Sequence, residues 1–173
     1  MRIGQAFGTT TLVMVLALAS CAQPPAPAEQ AAPANQMQGV WSMSAMNPGG
    51  GEATIDPSQP GLFIFTGAHY SAVYSPGGRP RPRSATSFSP TSEEKVAQFD
   101  TIIVNTGTYE VSGSTITFRP LVARSPEFVG GQSTMNFQID GDVLTLTEQK
   151  VVAADGIAAP VAAGSSMTLR RVE

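Results

Sequence analysis

The sequence predicts an all-β fold, an antiparallel up-and-down β-barrel of about eight short strands with one short helix. Three observations carry that prediction. Apolar and polar residues alternate with a period of two in eight short windows. Turn-forming dipeptides such as Ser112-Gly113 and Asp140-Gly141 separate the windows. The windows also follow one another in mostly sequential order, as hairpin-linked strands do. Closing such a sheet removes its exposed edges, which favours a barrel. A two-sheet sandwich is the alternative.

The elements follow in order. Val40-Trp41-Ser42-Met43 opens the first strand. Leu62-Phe63-Ile64-Phe65-Thr66 is the second, and Gly67-Ala68 links it tightly to the third, His69-Tyr70-Ser71-Ala72-Val73-Tyr74. Thr108-Tyr109-Glu110-Val111 is the fourth, with Tyr109 and Val111 on one face. Ser112-Gly113 turns it into Thr115-Ile116-Thr117-Phe118-Arg119, where Ile116 and Phe118 share a face. Ser133-Thr134-Met135-Asn136-Phe137-Gln138-Ile139 alternates best, placing Met135, Phe137 and Ile139 inward. Asp140-Gly141 suits a primed hairpin turn, and Val143-Leu144-Thr145-Leu146-Thr147 answers it. Ser166-Met167-Thr168-Leu169-Arg170-Arg171-Val172 is the last strand.

One helix interrupts this pattern. Thr91-Ser92-Glu93-Glu94 is a T-x-x-E capping box with acidic residues at the helix start. Val96, Phe99 and Ile103 recur at i, i+3 and i+7 as an apolar stripe, and Asn105-Thr106-Gly107 is read as the helix end. The helix is expected across one mouth or flank of the barrel. Residues 46–60 and 75–90 are rich in Gly and Pro, and residues 151–164 are Ala-rich and unpatterned. These three stretches are read as loops.

Composition narrows the function. The chain has 173 residues, room for one domain, and 42% apolar residues suffice for a core. Its net charge of −3 gives no reason to expect a nucleic-acid partner. One Cys excludes an intrachain disulfide, and one His removes most metal and acid–base schemes.

The N-terminus reads as a targeting segment. Arg2 supplies a basic start, and residues 11–18 form an apolar run too short to span a bilayer, which takes about 20 residues. Leu18-Ala19-Ser20-Cys21 resembles the lipobox of bacterial lipoproteins. That resemblance implies cleavage after Ser20 and acylation of the Cys21 thiol, with palmitate-type chains holding the protein on a membrane more stably than one chain can. Ala22, in place of Asp, resembles sorting to the outer membrane, on its periplasmic side in a didermic host. Residues 22–35 are Ala, Pro and Gln with few other types, a spacer that buries nothing. The expected organisation is a signal peptide over 1–20, a disordered tether over 21–35 and the β-domain over 36–173.

Gly39-Val40-Trp41 resembles the G-x-W that opens the first strand of lipocalins, and Arg170-Arg171 lies where lipocalins place an arginine over that tryptophan. Strand parity favours Arg171, on the face of Met167 and Leu169. A guanidinium stacked on indole would close the barrel end. The stretches Phe65-Thr66-Gly67-Ala68-His69-Tyr70-Ser71, Thr106-Gly107-Thr108-Tyr109-Glu110-Val111 and Ile139-Asp140-Gly141-Asp142-Val143-Leu144-Thr145-Leu146 resemble the bacterial lipocalin-like domain family. The resemblance runs from Gly39 to Val172. It lacks the disulfide and middle motif of secreted animal lipocalins, and the ligand class stays open.

The candidate cavity lining is Trp41, Phe63, Phe65, Tyr70, Tyr109, Phe118, Met135, Phe137 and Leu146. An eight-stranded barrel is just wide enough to be filled by such side chains or to hold one small molecule. His69 lacks a coordination set and is read as a hydrogen-bonded strand or turn residue. Arg79, Arg81 and Arg83, spaced by prolines, form a solvated loop or a contact for anionic lipid. Glu93 and Glu94 read as cap residues rather than a catalytic pair. No G-x-S-x-G occurs, and Gly49-Gly50-Gly51 lacks the Lys of a phosphate loop. No metal or cofactor is expected.

Three functions are open. The first is a monomeric envelope lipoprotein that binds a small hydrophobic or amphipathic ligand. The second is a structural or interaction lipoprotein with a filled barrel. The third is an enzyme that works by shaping its pocket, which needs a cavity-facing polar residue with a shifted pKa. The expectation is a non-enzymatic binder.

Overall fold

The structure, a computed structural model, describes residues 36–173 apart from Ala53, Ser58 and Pro60. The signal peptide, Cys21 and the tether lie outside the described residues. In chain order the strands are β1 (Gly39–Asn47), β2 (Leu62–Phe65), β3 (His69–Tyr74), β4 (Ile103–Ser112), β5 (Thr115–Ala123), β6 (Gln132–Asp140), β7 (Val143–Val152), β8 (Ala158–Ala159) and β9 (Ser166–Arg171). Helix α1 (Ser92–Asp100) joins β3 to β4, and a single 3-10 turn, Pro126–Phe128, follows β5.

Each of β1 to β6 pairs antiparallel with its successor. β6 pairs with β7, β7 with β9, and β9 with β1. Eight strands therefore close into an up-and-down barrel, and the two-residue β8 sits outside the circuit on the end of β7. The sandwich alternative is ruled out by this unbroken ring of pairs.

Local chemistry explains the tight turns. β4–β5 and β6–β7 are two-residue hairpins, closed by the pairs Ser112↔Thr115 and Asp140↔Val143. Their first loop residues, Gly113 and Gly141, both have φ of +57°, which glycine reaches without steric cost. Alternation then sends one residue in two inward. Trp41, Met43, Phe63, Phe65, Tyr70, Ala72, Tyr109, Ile116, Phe118, Met135, Leu144, Leu146, Met167 and Leu169 are buried together in one core, joined by Met37 from the segment ahead of β1. Full burial of an Ile or Leu is worth about 1.5–3 kcal/mol, and Ile116, Leu144 and Leu169 are wholly buried.

The helix corrects two expectations. α1 ends at Asp100, with Thr101 as its C-cap. Ile103, read above as the third member of a helical stripe, begins β4, and Asn105, Thr106 and Gly107 are strand residues paired with β3. The β-branched run Ile102-Ile103-Val104 prefers extended backbone to helix. Val96 and Phe99 are 60% and 51% exposed, so the stripe does not pack into the core. The capping box does form. The Glu94 N–H donates to Thr91 Oγ1 at 3.2 Å, and the Thr91 N–H donates to Glu94 Oε2 at 2.8 Å. A bond from the Ala85 N–H, then that from Thr91, holds the Glu94 carboxyl below its ordinary value.

The Ala-rich stretch after β7 is also more ordered than its composition indicated. Val151 and Val152 belong to β7, and β8 pairs with them. Three register shifts interrupt the barrel's pairing, between Thr106 and Gly107 on β4, between Thr134 and Met135 on β6 and between Met43 and Ala45 on β1. At the first, a methyl on Gly107 would run into the Arg119 carbonyl of β5, so only glycine lets the two strands approach there.

Candidate functional site

The barrel has two unlike ends. At one end β1 begins, β9 ends and the interior is filled. Trp41 pairs with Arg171 across β1 and β9, and the guanidinium carbon lies 4.0 Å from the indole centroid. The Trp41 Nε1–H donates to the Met37 carbonyl at 2.8 Å. Arg171 also donates to the Gln38 carbonyl at 2.8 Å and to the Gln36 carbonyl at 2.6 Å. Its Nε lies 3.8 Å from the Asp142 carboxylate in the β6–β7 turn. One side chain thus ties together the chain entering β1, the last strand and a hairpin. Beneath this clasp Phe65 meets Tyr109 edge-on at 5.5 Å and Phe118 at 6.2 Å. Tyr109 donates its hydroxyl to the Thr66 carbonyl at 2.6 Å, so that buried polar group is satisfied.

The other end holds a cavity of about 210 Å³. The ends of β3, β5 and β7 and the starts of β2, β4, β6 and β9 surround it. Of the nine residues expected to line a cavity, Phe63, Tyr70, Phe118, Met135 and Leu146 do so. Trp41, Phe65 and Tyr109 do not: they are buried in the filled end, and Phe137 packs on the core half-buried. The physical reason is axial position. Strand parity sorts inward from outward but not top from bottom, so one inward list covered both a plug and a pocket.

Several lining residues were absent from the sequence reading. Tyr74, Ser133, Glu148 and Met167 face the cavity, with Asn105 and Arg124 beside them. Parity would have found most of these. Tyr74 continues Tyr70 and Ala72, Glu148 continues Leu144 and Leu146, and Met167 precedes Leu169 by two. Arg124 follows the end of β5 and carried no such signal. Likewise Met37, wholly buried at the filled end, lies before the first strand and showed no pattern.

The polar groups of the cavity have distinct states. Burial raises the Glu148 carboxyl above its ordinary value, and a bond from the Ser133 hydroxyl at 2.7 Å partly offsets this. Burial pushes the Tyr74 hydroxyl up to about 12, with a further rise from the Glu148 charge and an opposing pull from Arg124. Burial alone raises Tyr70, whose buried Oη has no hydrogen-bond partner. Arg124 donates Nη1–H to the Phe99 and Ile102 carbonyls at 3.1 and 3.0 Å and stacks on the Phe99 ring at 4.9 Å, while its buried Nε is unpartnered. Rings line the wall in pairs: Phe63 stacks on Tyr74 at 5.5 Å, and Tyr70 meets Phe118 at 4.6 Å.

The remaining candidates lie elsewhere. His69 is exposed, and its backbone N–H donates to Thr66 Oγ1 at 3.1 Å in the β2–β3 turn. Among the described residues no three His, Cys, Asp or Glu side chains converge as a metal set would. Arg79 and Arg83 are exposed, whereas Arg81 donates to the Gln98 carbonyl of α1 at 3.1 Å.

No curated protein matches this chain. The family model described as a lipocalin-like domain matches residues 38–162, from the threshold of β1 to just past β8. With a closed eight-stranded barrel and a match over most of its length, the chain belongs to the lipocalin-like domain family.

Proposed function

We propose that this chain is a membrane-anchored envelope lipoprotein whose barrel binds one small hydrophobic or amphipathic molecule at its open end. The observation that carries the binding reading is the cavity of about 210 Å³, with Tyr70, whose buried hydroxyl is unpartnered, among its lining residues. A buried polar group left unpaired costs about 1–3 kcal/mol, and a bound molecule that meets it recovers part of that cost. An apolar cavity of roughly 150 Å³ accepts benzene, so this one suits a compact guest. The role proposed is carriage or sensing; Glu148, the cavity-facing acid with a raised pKa that a pocket-shaping enzyme would need, accepts a hydrogen bond from the Ser133 hydroxyl at 2.7 Å. The lipobox at Leu18-Ala19-Ser20-Cys21 and the Ala/Pro-rich spacer support the anchor, with Cys21 acylated and the domain on the periplasmic face of the outer membrane in a didermic host. The protein acts as a monomer without a cofactor or nucleic-acid partner.

A second reading, an interaction lipoprotein, is favoured by exposed Leu121, Val122, Val129 and Ile157. The end of β5, which carries the first two, and the loops that carry Val129 and Ile157 are tied by backbone bonds from Gly130 to Pro120 and from Ala154 to Glu127. Native mass spectrometry of the purified protein after lipid-extraction controls separates the two. A stoichiometric co-purified small molecule supports binding, and a clean apo mass that takes up no small probe favours the interaction reading.

A further inference from the structure

The cavity wall carries one acid and one guanidinium, and the two are engaged differently. Glu148 is the one carboxylate among its lining residues, and it accepts a single hydrogen bond, from Ser133. Arg124 is the lining cation; its Nη1 is committed to the Phe99 and Ile102 carbonyls and its plane to the Phe99 ring, while its Nε is buried and unpartnered. Among the described residues no cationic side chain comes within 4.0 Å of the Glu148 carboxylate. A partly desolvated acid without a counter-ion is unfavourable until a cation reaches it.

The surrounding walls suit an organic cation. Phe63, Tyr70, Tyr74 and Phe118 present aromatic rings, whose faces attract ammonium groups. The Tyr70 oxygen is buried and unpartnered and belongs to a neutral phenol, so it accepts from a guest's N–H donor once a neighbouring side chain shifts to admit it. An anionic guest would instead meet the Glu148 charge. The volume admits about one ring and a short substituent.

We propose that the open-end cavity selects small primary amines carrying one apolar ring, the ammonium meeting Glu148 and Tyr70 and the ring lying among Phe63, Tyr74 and Phe118. This rests on the reading of the barrel as a small-molecule binder. The test is calorimetric titration of the full-length chain with benzylamine, benzyl alcohol and toluene. Charge-assisted bonds predict that benzylamine binds about tenfold or more tightly than benzyl alcohol. Glu148→Gln should bring the two within about twofold, and Tyr70→Phe should weaken benzylamine by about fivefold while leaving toluene unchanged. Benzyl alcohol or toluene binding as tightly as benzylamine overturns the amine proposal and leaves the binder reading standing. An undiminished amine preference in folded Glu148→Gln also overturns it. Should that variant not fold, an unchanged benzylamine affinity in Tyr70→Phe does the same. Uptake of none of the three overturns the amine proposal, and an apo mass in the native spectrum then removes the binder reading as well.

Discussion

Arg171 shows how much one side chain can hold when its donors are spread in a rigid fork. It covers the Trp41 ring and donates to two backbone carbonyls ahead of β1. Removing it leaves those contacts unmade, so Arg171→Ala should destabilise the fold by about 2–4 kcal/mol, read from chemical denaturation. Arg171→Lys keeps a cation but not the fork, and should recover less than half of that loss. Glu148 works in the opposite sense. Its folded-state pKa lies above the ordinary 4.5 because burial disfavours the charge. The folded state therefore holds the proton more tightly than the unfolded chain, and stability declines as pH rises from 4.5 through the folded pKa, then levels off. Glu148→Gln should match the native protein near pH 4 and unfold at a higher temperature than it at pH 7.

At the scale of elements, α1 is a locally capped helix that contributes little to the core. It has a complete capping box but no buried residue. Thr91→Ala removes a cap worth about 0.5–2 kcal/mol, yet that energy belongs to local opening. Hydrogen exchange should speed up across residues 92–100 while the global unfolding midpoint stays within experimental scatter. The same separation explains what the sequence disclosed. Strands β2, β3, β5 and β6 were legible because one face of each is buried and the other solvated, so alternation is strong. The start of β4 was not, because Val96, Phe99 and Ile103 happen to fall at helical spacing across an element boundary. The polar side of the cavity was missed for a different reason. Glu148 sits one step past the last obvious apolar residue of β7, and an acid there looks like the end of a strand unless parity is followed through. Arg124 acts from beyond a strand end, where no period applies.

For the whole molecule, the ring of eight strands leaves no open sheet edge in the barrel wall, and its two ends divide the labour. The filled end supplies stability through Trp41, Met37, Leu144 and Leu169, and the open end is free to keep a cavity. The meeting of the first and last strands was legible from Trp41 and Arg171, and family membership rests on the match over residues 38–162. The proposed anchor is independent of that closure. Cys21→Ala should shift the protein from the membrane to the soluble fraction in cell fractionation, with the circular dichroism of the barrel unchanged. The clasp at the filled end has a mechanical consequence. Gln36 and Gln38, the last residues before the barrel, are gripped by a side chain from the opposite terminus. Tension arriving along the N-terminal segment meets the guanidinium first and is shared with β9 before any rung of β1 is loaded. A domain tugged from a moving surface would therefore resist peeling from its first strand, and single-molecule stretching from residue 36 should record a lower rupture force once Arg171 is shortened.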